Sequence, residues 1–264
     1  MGWGRSVGPR PHSRPLSRKR ERGQYATFTL RIGIWHVRMC GRFALRSSTA
    51  EAAGQVLGLP PLPDWVTSRY NIPPGTGIPV ILAGADGAPV WGGAEWGFRP
   101  RWAQSDAPKP INARAETVAT SKYFRNAFAH RRCLVPADGW YEWQVSDGRK
   151  QPWFIAPGDD ENAGVLFLAG IWEPSAEDAI CCAIVTEPAR PPLDSIHHRQ
   201  PLALEPGCLE DWLNPELVDR DAIRSAVRRL PTERLNPHPV STEVNRPEND
   251  YEDLLKPIGD APEA

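Results

Sequence analysis

Four short apolar segments follow one another in the second half of the chain, each bounded by turn-forming residues. Their sequences are CLVPADGWYEWQV (133–145), QPWFIAP (151–157), GVLFLAGIWE (164–173) and AICCAIVT (179–186). Segments of this length, rich in β-branched and aromatic residues and separated by Asp-Gly or Glu- and Pro-rich breaks, are typical of β-strands. The chain contains no run of about 18 apolar residues, the length that a membrane-spanning helix requires. Its core is therefore expected to be built on a sheet.

Further strands and helices are predicted around these segments. The sequences IPVILAG (78–84) and PVWGGAEWGF (89–98), separated by ADGA, predict a hairpin, and NPHPVS (236–241) predicts a terminal strand. Apolar spacing predicts helices over SSTAEAAGQVLGL (47–59, with Ser48 and Glu51 as a capping box), over TSKYFRNAFAHRR (120–132, capped by Thr120) and over PELVDRDAIRSAVRRL (215–230). Short strands with a few helices and no internal repeat indicate a single α+β domain. We expect a curved, mostly antiparallel, barrel-like sheet with flanking helices.

Charge is distributed unevenly along the chain. The formal net charge is -1, but residues 1–38 hold nine Arg or Lys and one acid, Glu21, a net of +8 that leaves −9 for the remainder. A body with this sign does not attract phosphate as a whole, so any nucleic-acid contact there requires a local basic patch.

The first 38 residues form a basic extension that is too polar and too rich in Arg, Pro and Gly to fold alone. Three interpretations are open: a DNA-binding arm, a targeting segment, or translation upstream of a true start at Met39. A targeting role is disfavoured because the segment lacks the apolar region of a signal peptide, and we favour the third interpretation. The main domain is then expected to span 39–258, followed by a loose tail, 259–264.

Five cysteines are present, and they form no C-x-x-C pair and no metal-like spacing with the histidines. We therefore predict neither a metal nor a cofactor. An odd count without a signal peptide favours a reducing cytoplasm. Four of them are expected to be small buried apolar residues, namely Cys133, Cys181, Cys182 and Cys208.

Four clusters contain groups that would be awkward in an apolar core. They are Cys40-Gly41-Arg42; PINARAET with Asn112, Arg114 and Glu116; ADGWYEW with Asp138, Glu142 and Trp143; and SIHHRQP with His197, His198 and Arg199. Each has an ordinary explanation when taken singly. An Asn or Arg caps a turn, a strand Glu faces solvent, and adjacent histidines in a strand point to opposite sides.

The first cluster raises a question about the chain's start, because Met39 directly precedes Cys40 in VRMCGRFALR. If Met39 is the initiator and is removed, Cys40 carries a free α-amine beside its thiol. If Cys40 is internal, its nitrogen is an amide and is not nucleophilic.

The clusters together resemble a known family. MCGRF, RYNIPPGT, EWGFRPRW, INARAET, ADGWYEW, AIVTEPA, IHHRQP and HPVS occur in this order, and the set resembles the SRAP family, the SOS-response-associated peptidases or abasic-site processing proteins. The match runs from Met39 to about Asn249. It implies the SRAP fold and a cytoplasmic, nucleoid-associated monomer of the DNA-damage response that binds single-stranded DNA and crosslinks to abasic sites. Peptidase and AP lyase activities belong to the same expectation.

The resemblance also assigns residues. It implies that Cys40 is the nucleophile and that Asn112, Glu142 and His197 complete the catalytic site. The positions that it implies near the DNA are Arg42, Pro74, Trp102, Arg114, Trp143, Thr186 and Arg199. The sequence departs from the family's pattern at His198, where Asp or Asn is frequent, and at Gln200, where Arg or Met is frequent. Both flank His197, so the departures bear on local DNA contacts more than on the chemistry.

The chemistry explains why an N-terminal cysteine would be needed. An amine converts the aldehyde of an abasic site into an imine, and a thiol two carbons away closes on the imine carbon to give a thiazolidine. Two other hypotheses stay open: a cysteine peptidase or amidase with Cys40 as nucleophile, His197 as base and Asn112 or Glu142 as orienting group, and a non-catalytic module that reads modified DNA.

Overall fold

Short strands and shorter helices make up the part of the chain that this computed structural model describes, residues 41–146, 148–158, 164–175 and 179–259. The predictions for Cys40, for the extension 1–38 and for the tail beyond Gly259 lie outside these residues. The strands are β1 Phe43–Leu45, β2 Arg69–Ile72, β3 Gly77–Ala83, β4 Pro89–Trp96, β5 Asn112–Arg114, β6 Arg132–Ala137, β7 Gly139–Ser146, β8 Arg149–Pro157, β9 Leu166–Pro174, β10 Ile180–Pro188, β11 Arg199–Pro201, β12 Ala203–Leu204 and β13 Leu235–Pro239. The α-helices are α1 Ser47–Val56, α2 Arg125–His130, α3 Leu209–Leu213 and α4 Arg220–Ala226, and single 3-10 turns lie at Leu193–Ser195, Pro206–Cys208, Thr232–Arg234, Thr242–Asn245 and Glu252–Leu255.

The strands form two sheets. The first has the order β13–β8–β7–β1–β2, with every pairing antiparallel. In the second, β3 pairs with β4 and β6, β6 with β9, β9 with β10, and β10 with β4, so five strands close into a ring. Of these ring pairings only β4–β10 is parallel. The predicted α+β class with a barrel-like, mostly antiparallel core is confirmed.

The two faces of the ring strands pack against different partners. On one face, Trp96 of β4 and Ile184 of β10 join Phe43 and Trp140 of the first sheet in one buried cluster. The alternate side chains of the ring strands pack in a second buried cluster with residues of the four α-helices. Because both faces are covered, strands such as β6 and β9 read as nearly continuous apolar runs in the sequence instead of alternating ones.

The other face of the first sheet is covered by the end of the chain. Tyr141 of β7 and Phe154 of β8 pack there against Val244 and Leu254, which lie in the last two 3-10 turns. Side chains alternate along a strand. Glu142 therefore points to the same side as Trp140, toward the ring strands and away from the covering turns.

Two predicted elements differ from those observed because tertiary contacts set their ends. The capping box of Ser48 and Glu51 is wrong: α1 begins at Ser47 with Arg46 as its N-cap residue and no side-chain cap. The Arg46 N–H instead donates to Asp138 (2.5 Å), and the Ser47 N–H donates to Ser68 Oγ (2.9 Å). The predicted strand 133–145 splits into β6 and β7, which lie in different sheets.

The other two predicted helices are shorter than their apolar spacing indicates. Thr120 does not cap α2, which begins at Arg125; its hydroxyl donates to the Thr117 carbonyl within a series of turns. In the segment 215–230 only α4 is helical, because Asp219 accepts hydrogen bonds from the N–H groups of Asp221 and Ala222 and starts the helix there. The predicted hairpin of β3 and β4 and the terminal strand β13 are confirmed. No helix within the described ranges is long and apolar enough to cross a lipid bilayer.

Candidate active site

A carboxylate and an imidazole from distant parts of the chain meet in the interior. Glu142 lies on β7, and His197 follows the 3-10 turn Leu193–Ser195; they are 3 % and 8 % exposed. The Nδ1 atom of His197 lies 3.6 Å from a carboxylate oxygen of Glu142, just beyond hydrogen-bond length. Two of the predicted catalytic residues are therefore brought together by the fold.

The backbone of Arg199 holds the His197 ring in either protonation state. The Arg199 N–H is 3.2 Å and the Arg199 carbonyl 3.1 Å from Nδ1. A neutral ring accepts from the N–H at Nδ1 and carries its proton on Nε2, whereas an imidazolium donates from Nδ1 to the carbonyl. Nε2 is buried and has no hydrogen-bond partner among the described residues.

Burial also sets the charge of this histidine. It lowers the pKa of His197 from 6.5, and the nearby charges of His198 and Arg199 act in the same direction, against the hydrogen bond to Arg199. The His198 ring packs on that of His197 with centroids 4.4 Å apart. At neutral pH the site thus combines a neutral imidazole with a buried carboxyl group, an arrangement suited to proton transfer.

Asn112 begins β5, a three-residue strand that runs parallel to β10 and pairs with Ile184 at that position. Its side chain is partly buried. Strand β11, which follows His197, pairs with β10 two residues further along, at Thr186. The backbone of β10 thus links the strand that carries Asn112 to the segment that carries His197.

Arg199 is buried and bonded within the protein. Its guanidinium forms a two-pronged ion pair with the carboxylate of Glu116, and its Nη2 atom donates to the carbonyl (2.7 Å) and hydroxyl (3.3 Å) oxygens of Thr186. The hydrogen bond from Arg199 lowers the pKa of Glu116. Two residues predicted to lie near DNA, Thr186 and Arg199, are therefore in direct contact. Arg114, on β5, is exposed.

Arg42 is fixed at both its main chain and its side chain. Its carbonyl accepts a hydrogen bond from the Tyr141 N–H (2.9 Å). Its Nη1 atom donates to Asn71 Oδ1 (2.6 Å) and to the Val244 carbonyl (3.0 Å). Burial lowers the pKa of the guanidinium.

The predicted stacking residues have different settings. Trp143 is partly buried, and its indole N–H donates to Asn245 Oδ1 (2.6 Å). Trp102 is 60 % exposed and lies edge-on to Tyr123, with the Lys122 ammonium 5.5 Å from its ring centroid. Pro74, in the turn between β2 and β3, is partly buried, and no described contact joins it to the other predicted residues.

Three contacting residues had not been assigned a role from the sequence. Glu116 holds Arg199, Asn71 holds Arg42, and Asn245 holds Trp143. Glu116 belongs to the quoted cluster PINARAET and Asn71 to the motif RYNIPPGT, so both lay within reach of motif analysis. Asn245 gave no signal, because an exposed Asn near the end of a chain is an ordinary turn residue. Within the described ranges, no group of three or more His, Cys, Asp or Glu side chains is arranged to hold a metal ion.

Fold and site together define a class: an α+β protein with a closed strand ring and a buried carboxylate–imidazole pair beside it. The profile of the SOS response associated peptidase (SRAP) family matches residues 39–247. The chain is 35% identical over 230 residues to the abasic site processing protein YedK of Escherichia coli, with 83% of this chain and 100% of that protein covered. It is 33% identical over 267 residues to the chicken abasic site processing protein HMCES, with 83% of this chain and 78% of that protein covered.

Solved structures show the same fold. A protein of Bacteroides thetaiotaomicron superposes with a TM-score of 0.71 at 21% identity, covering 83% of this chain and 100% of its own. A phage-related protein of Bordetella bronchiseptica gives a TM-score of 0.62 at 31% identity, covering 76% of this chain and 94% of its own. The chain belongs to the SOS response associated peptidase (SRAP) family.

Proposed function

We propose that this protein captures abasic sites in single-stranded DNA by a covalent bond to the α-amine and thiol of Cys40. The observation that carries the proposal is the buried Glu142–His197 pair, 3.6 Å apart, beside the strand that leads back to Cys40. Relatives at 35% and 33% identity are named abasic site processing proteins, which supports the choice of substrate.

The proposed reaction begins at the ring-opened sugar of the abasic site. The neutral amine of Cys40 adds to the aldehyde, and loss of water gives an imine. The thiolate sulfur then attacks the imine carbon, the former imine nitrogen takes up a proton, and a five-membered thiazolidine results. An α-amine has a pKa of about 8 against about 10.4 for lysine, so roughly a hundredfold more of it is neutral near pH 7. The reaction therefore requires that Met39 be absent.

The site residues have distinct proposed roles. Glu142 accepts a proton from the attacking amine. His197 protonates the sugar ring oxygen so that the ring opens, and later assists the loss of water. Asn112 hydrogen-bonds the sugar or the amine and fixes the geometry of attack. The acid role requires the imidazolium form of His197, which donates from Nδ1 to the Arg199 carbonyl and carries the transferable proton on Nε2.

DNA binding is proposed to use the remaining predicted residues. The exposed Arg114 neutralises phosphate beside the lesion. Arg42 and Arg199, whose guanidinium groups are bonded within the protein, line the path of the strand together with Pro74 and Thr186. Trp102 and Trp143 stack on exposed bases, each stacked base contributing about 1–3 kcal/mol. The large exposed fraction of Trp102 agrees with that role. The protein is proposed to act as a monomer in the cytoplasm.

Incubation with single-stranded DNA that contains one abasic site tests the proposal. We expect a heat-stable adduct from protein that begins at Cys40 and none from the Cys40→Ala variant. Peptide cleavage without an adduct would instead favour the cysteine peptidase hypothesis, and salt-reversible binding alone would favour a non-catalytic reader. Release of a shortened DNA strand in the same reaction would reveal an AP lyase step.

The N-terminal requirement has its own test. Protein that retains residues 1–38 uncleaved should bind DNA and fail to form the adduct, because the Cys40 nitrogen is then an amide. Intact-mass measurement of the adduct identifies the reacting form. A covalent adduct on the full-length chain would refute the thiazolidine chemistry.

A further inference from the structure

The segment that follows β13 is clamped onto the protein by one buried side chain, Asn71 of β2. The two hydrogens of its amide Nδ2 atom are shared among the carbonyls of Val244 (3.1 Å), Arg246 (3.0 Å) and Asn249 (2.7 Å). Asn71 is completely buried, and its own N–H donates to Asp250 Oδ1 (3.1 Å). The clamp therefore fixes residues 244–250, which we call the C-terminal strap.

The other end of the same amide holds Arg42. Asn71 Oδ1 accepts from Arg42 Nη1 at 2.6 Å, and that nitrogen also donates to Val244 of the strap at 3.0 Å. The side-chain oxygen of Asn71 thus bonds a residue near the beginning of the described chain, and its side-chain nitrogen bonds residues near the end. Hydrogen bonds to a charged group are among the stronger ones in proteins.

Arg42 is in this way attached at three points: its carbonyl to Tyr141, and its Nη1 atom to Asn71 and Val244. The β1–β7 register pairs Phe43 with Trp140 and Ala44 with Gly139. Continued by two residues, this antiparallel register sets Gly41 opposite Glu142. The three attachments therefore fix Arg42, which is the neighbour of the residue that lies opposite Glu142.

We infer that Asn71 is a positioning residue for the reaction, acting through Arg42 on the reach of the Cys40 amine toward Glu142. The inference rests on the proposed function. Cys40 is bonded to Gly41, and consecutive Cα atoms are about 3.8 Å apart, so freedom at Arg42 is passed on to the nucleophile within two residues. A displacement of the reacting group by about 1 Å lowers a rate by about a hundredfold.

A positioning role predicts a different pattern from a DNA-contact role. Loss of a residue that contacts phosphate weakens the affinity for DNA and reduces the slope of affinity against salt by about one unit. Asn71 is fully buried and meets no phosphate. Its loss should therefore slow the covalent step at saturating protein while affinity and salt dependence stay unchanged.

The experiment compares the wild type with Asn71→Ala and Asn71→Asp, all beginning at Cys40. Affinity is measured on single-stranded DNA with a tetrahydrofuran abasic analogue, which has no aldehyde and cannot form the imine. The covalent rate is measured in single turnover on an authentic abasic site. For Asn71→Ala we expect the covalent rate to be about ten- to a hundredfold lower than that of the wild type. The dissociation constant should stay within about twofold of the wild-type value. An equal rate, or a parallel loss of rate and affinity, would overturn the inference.

Asn71→Asp separates positioning from general support of the fold. Aspartate keeps the oxygen that accepts from Arg42 but loses the amide donor to the strap, so this variant should melt at a lower temperature and yet react faster than Asn71→Ala. If the alanine variant does not fold, as seen by circular dichroism, the aspartate variant alone decides. If a folded Asn71→Asp variant forms the adduct at a rate about tenfold or more below that of the wild type, the inference is contradicted.

Asn236→Ala is the matched control, because Asn236 is an exposed asparagine on β13, the opposite edge strand of the same sheet. It should behave as the wild type in both assays. Failure of the proposed function looks different from failure of this inference: in the first case the wild type itself forms no adduct, and in the second it does so at the same rate as folded Asn71→Ala.

Discussion

Burial of the His197 ring couples the candidate site to the stability of the protein. The folded protein lowers the pKa of His197 from 6.5, so its imidazole binds a proton less readily there than in the unfolded chain. Below about pH 6.5 the unfolded chain takes up this proton first, and unfolding is favoured as the pH falls. The stability tied to the neutral ring is therefore complete above about pH 6.5 and is lost as the pH falls through the folded pKa.

Replacement of His197 by glutamine removes this titration. We expect the wild type to lose more unfolding free energy than His197→Gln between about pH 7.5 and about pH 5.5, by at most about 1.4 kcal/mol per pH unit. Urea unfolding of both proteins at the two pH values measures the difference. Parallel stability profiles would show that His197 titrates alike in the folded and unfolded chains.

Motifs in the sequence picked out residues that the fold brings together, but they did not indicate contacts between residues far apart in the chain. They singled out both Glu142 and His197, and the fold brings them within 3.6 Å. The resemblance implied that Arg199 lies near the DNA but gave no protein partner for it, and the guanidinium is buried and bonded to Glu116. The two residues are 83 positions apart in the chain, and neither composition nor spacing reveals which carboxylate an arginine meets.

At the scale of elements, β7 and β8 approach each other too closely at one point for any side chain. A methyl group added at Gly139 would lie 2.5 Å from the Ile155 carbonyl oxygen and 2.6 Å from the Phe154 ring. The strand that begins there carries Glu142 three residues later. Gly139 is thus needed for the spacing of the strand pair that holds the candidate carboxylate.

Gly139→Ala should therefore destabilise the protein by about 1–3 kcal/mol through overpacking and also lower the rate of adduct formation by displacing Glu142. Denaturant unfolding and the crosslinking assay measure the two effects. Gly77→Ala is the control, because an added methyl group there has no heavy atom within 4 Å. It should change the unfolding free energy by less than about 0.5 kcal/mol. Equal stability of the two variants would mean that the strands adjust freely.

A second element-scale feature is Arg132, a buried arginine that joins two helices to β6. Its guanidinium donates to the carbonyls of residues in or next to α2 and α3, namely Phe128, Ala129, Trp212, Asn214 and Leu217. No carboxylate within hydrogen-bond distance is described for it, and burial lowers its pKa to about 10. Arg132 thus supplies a hydrogen-bond donor to five carbonyls in or after the two helices.

Arg132→Met should remove this donor from all five carbonyls, and we expect a loss of about 3 kcal/mol or more in unfolding free energy. Arg149→Met serves as the comparison, since Arg149 is exposed at the β7–β8 hairpin. Its expected change is below about 0.5 kcal/mol. Urea unfolding of the two variants measures both changes in unfolding free energy. A mild effect at Arg132 would imply that α2 and α3 reach other donors or water.

Element types could be predicted from sequence more reliably than element ends. The β3–β4 hairpin and the strands β8, β9 and β10 follow from apolar runs between turn residues, and they are observed. The ends of α1, α2 and α4 do not follow from apolar spacing: α4 starts at its own cap, Asp219, and at α1 a distant group replaces the expected cap. The Arg46 N–H is taken by Asp138, 92 residues away. Nor does apolar patterning reveal that β10 pairs in parallel with β4 to close the ring.

At the scale of the whole molecule, the uneven charge determines how the protein should meet DNA. Residues 39–264 carry a net −9, and Arg199 is already neutralised by Glu116. Protein that begins at Cys40 can therefore offer only a few cations to phosphate. For single strands the logarithm of affinity falls with the logarithm of salt by about 0.7 for each phosphate neutralised. About three contacts would give a slope near −2.

Protein that retains residues 1–38 adds nine basic residues and one acid, and its slope should be steeper by several units. Fluorescence anisotropy on single-stranded DNA with the tetrahydrofuran analogue measures both slopes. Replacing Arg18, Lys19 and Arg20 by glutamine in the longer protein should move its slope toward that of the shorter one, by about 2 units. Equal slopes for the two forms would show that the extension stays off the DNA. The predicted combination, stronger binding with no covalent capture in the longer protein, requires that attraction and reaction reside in different parts of the chain.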